Sequence, residues 1–256
     1  MKNCVTLVTG AGRGIGRAIA VAMAAAGARV VGTARSQDQL DSLAAEITDA
    51  GGQAFTVVDD LADSAAPARI HAATIEHWGA VEVLVNNAGI GSSQNPKPIV
   101  DFDDDFWHLT MAVNVTAPYL LTKLVLPAMI EKQWGRIINI SSINAKVAGV
   151  HTSAYTASKH AITGLTKATA VEVAAQGITV NAVCPGTTES FMNNKRLEYD
   201  AQRLGTTIEE LEAKASPLER RLAPDEIAAL AVFLAQDQAC AINGQSINVC
   251  GGTVMV

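Results

Sequence analysis

Tyr155 and Lys159 lie four residues apart in SAYTASKHAITGL (153–165), a helically patterned segment, so both project from one face. A phenol and an ammonium placed this way form a proton-transfer pair. A free tyrosine has a pKa of about 10 and holds its proton too firmly to act as a base near neutrality. A neighbouring ammonium favours the phenolate and lowers that value. Ser142 closes the apolar run GRIINISS (135–142), thirteen residues before the tyrosine. Its hydroxyl can donate to an oxygen on which negative charge develops. Asn114 sits among apolar neighbours in MAVNVTAP (111–118). Singly, each has a plain structural role: Ser142 capping a strand end, Asn114 satisfying a helix bend, Tyr155 packing with its hydroxyl outward. Only their company points to chemistry.

A second cluster lies near the start of the chain. TGAGRGIG (9–16) follows the first apolar run directly. Gly10, Gly12, Gly14 and Gly16 let a backbone approach a pyrophosphate, with Arg13 and Ile15 between them. A helix behind them supplies amide donors and positive potential. The spacing Gly10-x-x-x-Gly14-x-Gly16 departs from the more general G-x-G-x-x-G pattern. The next strand ends VVGTARS, with Ala34 and Arg35 where an acid for the ribose 2′-hydroxyl of NAD is expected; no carboxylate follows until Asp38. Arg13 and Arg35 suit a 2′-phosphate, which a carboxylate would repel. The expected cofactor is therefore NADP(H).

Elements that position these residues can be read from the pattern. Strands are expected at 4–9, 28–34, 54–60, 81–89, 135–142, 178–186 and 244–252. Helices are expected at 12–26, 37–51, 64–77, 103–132, 152–175 and 224–235. Strands apolar on both faces and separated by helices imply a parallel sheet covered on both sides. The fold class is thus α/β: a Rossmann-type doubly wound parallel sheet flanked by helices, forming one domain over 1–256. The polar stretch 187–223 is too long for a simple connection and reads as a substrate lid at the carboxyl edge of the sheet.

The totals bound the function. The chain has 256 residues, about half hydrophobic, with few aromatics and a formal net charge of −6. This argues against nucleic-acid binding. No unbroken apolar run approaches the roughly 18 residues of a membrane span. MKNCVTLVTG leads straight into the glycine loop and reads as a strand, not a leader. Cys4, Cys184, Cys240 and Cys250 form no CxxC pair, which suggests free thiols in the cytoplasm and no metal site.

TGAGRGIG, NNAG (86–89), Asn114, Ser142 with YTASK (155–159), and PG (185–186) together resemble the short-chain dehydrogenase/reductase family in order and spacing, over essentially the whole chain. RGIGRAIA, LVNNAGI and NVCGG are most similar to 3-oxoacyl-(acyl-carrier-protein) reductases and polyketide ketoreductases. The resemblance implies hydride exchange between NADP(H) and a ketone/secondary-alcohol pair, with Tyr155 as general acid and base. It implies that Lys159 also binds the nicotinamide ribose and that Asn114 holds a water linking Lys159 to solvent. Asp60 and Leu61 would contact adenine, with Asp60 also a candidate helix cap. Asn86, Ala88 and Gly89 would floor the cofactor site; Asn87 joins the contact set or only braces the sheet. Pro185, Gly186 and Thr188 would meet the carboxamide. The family's partners are copies of itself, so a homotetramer is expected, consistent with surplus apolar residues in 106–129 and 161–174.

Other features are set aside. DFDDD (101–105) suits a helix N-terminus better than a metal. His151 is equally a substrate contact or a loop residue, and His160 points off the catalytic face. Lys146, Lys195 and Arg196 read as solvated, with steering of an acidic substrate as the alternative. The leading reading is a ketoreductase of a 3-oxoacyl or polyketide-type substrate, an acyl thioester among the candidates. The alternatives are a dehydrogenase of another secondary alcohol (a sugar, steroid or cyclic alcohol) and a non-catalytic NADP-binding regulatory protein. The length of 187–223 weakens the first. The intact Tyr155, Lys159, Ser142 and Asn114 weigh against the last.

Overall fold

The computed structural model describes residues 1–256. Seven parallel strands form one sheet: β1 (Val5–Thr9), β2 (Arg29–Ala34), β3 (Gln53–Val58), β4 (Val83–Asn86), β5 (Gly135–Ile140), β6 (Ile178–Pro185) and β7 (Ser246–Val249). Their order is β3-β2-β1-β4-β5-β6-β7. Winding runs outward from β1 in one direction and from β4 in the other. A crevice therefore opens at the carboxyl ends between them, where ligands bind in such sheets.

Alternation along the strands builds two cores. Val8, Val30, Val85 and Ile138 face one side, packed by α1 (Gly14–Ala25), α2 (Gln37–Asp49) and α9 (Pro224–Leu234). Leu7, Val31, Leu84 and Ile137 face the other, packed by α3 (Ala66–Trp78), α5 (Ala117–Lys132) and α6 (Ser153–Val173). Each large aliphatic side chain fully buried there contributes about 1.5–3 kcal/mol. The strands are shorter than the sequence pattern suggests. NNAG leaves the sheet after Asn86, and SS (141–142) after Ile140, so the candidate site residues there lie just beyond the strand ends.

Two expected elements divide. The helix expected over 103–132 becomes α4 (Asp104–Met111), a π turn over Ala112–Thr116, and α5. Asp103 caps α4, accepting from Phe106 N at 2.8 Å, which confirms the acidic run as a helix start. The whole run Asp104–Lys132 is long and apolar enough, by length and composition, to cross a membrane. Polar residues such as Asn114 and Lys123 interrupt it, and Leu121, Val125 and Met129 pack against the sheet. The stretch 187–223 contains two helices, α7 (Phe191–Leu204), which lines the cleft at the carboxyl edge, and α8 (Ile208–Ala213).

Candidate active site

The glycine loop joins β1 to α1 and leaves no room for a side chain at Gly10 or Gly16. A Cβ on Gly16 would lie 2.3 Å from both the Gly10 carbonyl oxygen and Asn87 Nδ2, and Gly10 itself has φ +65°. Asn87 braces the loop, its Nδ2 donating to Thr9 O at 2.8 Å and Gly10 O at 3.2 Å. The N-terminus of α1 has no side-chain cap and opens onto the crevice. Its free amides and dipole suit an anionic phosphate. Beyond them, Arg35 is exposed and lies 3.7 Å from Asp60. These residues fit a phosphorylated dinucleotide.

They line one cleft of about 1030 Å³ that runs along the carboxyl edge to Ser142, Tyr155 and Lys159. Lys159 is buried, and its Nζ donates to Ile140 O at 2.9 Å. Nζ lies 5.5 Å from the centre of the Tyr155 ring. Burial pushes the lysine down to about 8. Burial pushes the Tyr155 phenol up, with the Ser142 hydroxyl pulling the other way. The depression of the tyrosine by Lys159 expected from sequence does not arise in the protein alone, where desolvation raises the phenol and only Ser142 opposes it. Ser142 Oγ accepts from Asn144 N at 3.1 Å, which fixes its rotamer. Such a pair can deliver a proton to an oxygen that Ser142 also holds.

Asn114 stands behind the cleft, 1% exposed. Its Oδ1 accepts from Ile90 N at 2.7 Å; its Nδ2 donates to Ile90 O at 3.0 Å and Ser158 Oγ at 3.0 Å. The side chain clamps the segment after β4 to the helix carrying Tyr155 and Lys159. Both amide protons are committed, so its fit to the expected water-holding role is limited to one spare lone pair. The π turn around it leaves irregular backbone pairing at this point, a common feature of functional sites.

The model for short chain dehydrogenases matches residues 4–201. The chain belongs to the short-chain dehydrogenase family. It is 40% identical over 261 residues to a D-beta-hydroxybutyrate dehydrogenase of Cupriavidus necator, covering 99% of each. It is 38% identical over 257 residues to a 3-oxoacyl-(acyl-carrier-protein) reductase of Vibrio harveyi, covering 100% of this chain and 99% of the other. The solved structure of an actinorhodin polyketide ketoreductase variant with NADPH superposes with a TM-score of 0.92 at 36% identity, covering 98% of each chain. This short-chain dehydrogenase is thus an oxidoreductase of the ketone/alcohol couple that takes a nicotinamide cofactor, and the non-catalytic reading is set aside.

Of the residues singled out in the sequence, the loop glycines with Arg13 and Ile15, Arg35, Asp60, Leu61, Asn87–Gly89, Ser142, Tyr155, Lys159, Pro185, Gly186 and Thr188 all line the cleft. Asn86 does not: as the last residue of β4 it turns into the sheet, its Nδ2 donating to Asn139 Oδ1 at 2.8 Å. Asp60 caps no helix; it accepts from Ala62 N at 3.0 Å, and α3 starts only at Ala66. Lys146 is not a free surface cation, because its Nζ donates to Ser246 O at 2.8 Å and Val256 O at 2.6 Å. His151 lies outside the main cleft with φ +58°, its Nδ1 2.6 Å from Tyr199 Oη. Arg196 does line the cleft, held by Asp200. Asn144, in the turn just after Ser142, and Phe191 and Met192, at the start of α7, line it too and carry no sequence signal; the last two depend on how α7 lies.

Proposed function

We propose that the protein reduces a ketone with NADPH, with Tyr155 as the proton donor. The observation that carries this reading is the meeting of Tyr155, Ser142 and Lys159 in the same cleft as the glycine loop. When bound, the nicotinamide supplies or takes up the hydride. Ser142 orients the carbonyl oxygen, and Tyr155 delivers the proton to it. Lys159 has two N–H donors beyond the one given to Ile140 O, and these serve the nicotinamide ribose. Asn114 acts by holding Gly89 and Ile90 against α6, and its spare lone pair is the acceptor left for a water leading to Lys159. Arg13 and Arg35 read the 2′-phosphate, Asp60 and Leu61 the adenine end, and Pro185, Gly186 and Thr188 the carboxamide. Residues 187–223 form the lid of a single domain.

The substrate class proposed is a 3-oxoacyl or polyketide-type ketone, supported by the names of two of the relatives. A smaller secondary alcohol is the second reading, favoured by the polar wall of Asn144, Arg196 and Asp200 at the mouth. We also propose a cytoplasmic homotetramer. Tyr119 and Ile130 on α5 and Val171 on α6 leave apolar surface exposed, a mark of a partner face.

NADPH oxidation, with NADH in parallel, against ketones including an acetoacetyl thioester tests these assignments. Fast thioester turnover with NADPH is expected. Turnover of free cyclic or sugar ketones alone moves the substrate to the second reading. Equal use of NADH removes the two arginines from their role.

A further inference from the structure

Arg13 has an unusual neighbour. The residue belongs to the phosphate loop, yet its guanidinium carbon lies 4.3 Å from the centre of the Phe191 ring. Phe191 is the first residue of α7, the lid helix, and is itself 54% exposed. Its burial against the core therefore does not explain it. Arg13 caps no helix with its side chain and joins none of the ion pairs that hold the nearby Arg17 and Arg35. The guanidinium thus touches the ring while none of its N–H donors makes a hydrogen bond within the protein. All five N–H donors of an arginine lie in the edge, and the edge is what a phosphate takes. Lys195, one turn along α7, lies 6.0 Å from the same ring and adds positive potential there. The lid's first turn is fixed as well: Ser190 Oγ accepts from Asn193 N at 3.2 Å, and Ser190 Cβ would lie 3.6 Å from a Cβ on Gly14. Phe191 therefore leaves the lid at a set point directly over the loop.

We propose that Phe191 is a positioning residue for cofactor choice: it stacks on Arg13 and holds the guanidinium edge toward the 2′-phosphate. The lid thereby takes part in telling NADP(H) from NAD(H), although no lid residue need touch the phosphate. This rests on the reading of Arg13 as a 2′-phosphate contact. Coupling of this kind is reciprocal. A ligand with a 2′-phosphate steadies Arg13, and through the ring steadies the start of α7. The same ligand without that phosphate does not.

The test is a double-mutant cycle on the full-length protein with Arg13→Ala, Phe191→Leu and both together. The readout is the ratio of the NADH to the NADPH dissociation constant, a quantity that general damage to the lid leaves alone because both cofactors share the pyrophosphate and nicotinamide contacts. Phe191→Leu is expected to lower the ratio about threefold to fivefold, the scale of an exposed cation–π contact. It is expected to change nothing further once Arg13 is alanine, and Phe191→Tyr should restore the ratio. An independent arm measures hydrogen exchange of the α7 amides with 2′,5′-ADP against 5′-AMP, with greater protection expected from the former. If Arg13→Ala lowers the ratio and Phe191→Leu does not, the positioning role is wrong and the 2′-phosphate reading stands. If Arg13→Ala leaves the ratio unchanged, both fall.

Discussion

The two ends of the cleft are made differently. At the phosphate end, main chain meets main chain: Gly16 allows no Cβ because the Gly10 carbonyl would be 2.3 Å away, and Asn87 ties the loop to the end of β4. At the lid end, side chains from distant segments pair across loops. Arg196 holds Asp200 in two hydrogen bonds and donates to Val150 O at 2.9 Å, while Tyr199 meets His151. At Gly10 and Gly16 the first end has no room for even one added carbon. The second is a set of partly exposed contacts, each of small worth. A site can therefore hold its cofactor through backbone shape and vary its substrate through replaceable pairs.

Four changes sharpen or break that contrast. Tyr155→Phe, between the two ends, should cut turnover about a thousandfold, within the range for general acid catalysis, while leaving NADPH binding intact by fluorescence titration. Lost binding would show that the tyrosine supports the cofactor and not the chemistry. Gly16→Ala at the rigid end should weaken NADPH about a hundredfold and lower stability by about 1–3 kcal/mol, since its Cβ meets backbone. An unchanged melting temperature and affinity would mean that the loop yields and the contrast is false.

The third is a pH profile. Burial sets Lys159 at about 8, so its ammonium is charged below that pH and lost above it. Tyr155 is pushed up and keeps its proton across the neutral range. NADPH-driven kcat/KM should be level from about pH 6 to 7.5 and then fall about tenfold per unit above 8. A level profile to about pH 10 would detach Lys159 from the step. The smallest effect is expected from Arg196→Ala at the adaptable end: about a threefold rise in ketone KM, with NADPH affinity untouched. A loss of cofactor affinity would mean that the lid end is as rigid as the other.

The same contrast governs what the sequence could reveal. Gly10, Gly14 and Gly16 announce themselves by residue type, because only glycine survives their geometry. Tyr155 and Lys159 are legible because one helix sets their spacing, and the parallel, doubly wound sheet follows from apolar runs separated by helices. The lid resisted. α7 and α8 are polar, and α7 buries only Leu197, so periodicity has little to register. Phe191 and Met192 reach the cleft only because α7 folds over a part of the sheet distant in the chain. Asn86 misled because alternation decides its direction, and one residue more or less of strand reverses the side chain. Lys146 misled because the C-terminal residues that accept from it are about a hundred positions away.

The π turn at Ala112–Thr116 gives the helical run between β4 and β5 one more residue than regular winding would use. A single-codon deletion there would produce a straighter and more ordinary rod. It would also turn Asn114 by about 100° relative to the helix that follows, at 3.6 residues per turn. The carboxamide would swing off Ile90 and Ser158, and the floor beneath Lys159 would lose its clamp. In this stretch, regularity and the clamp pull in opposite directions, and a search for sturdier variants would select against the residue that ties Ile90 to the helix of Tyr155 and Lys159.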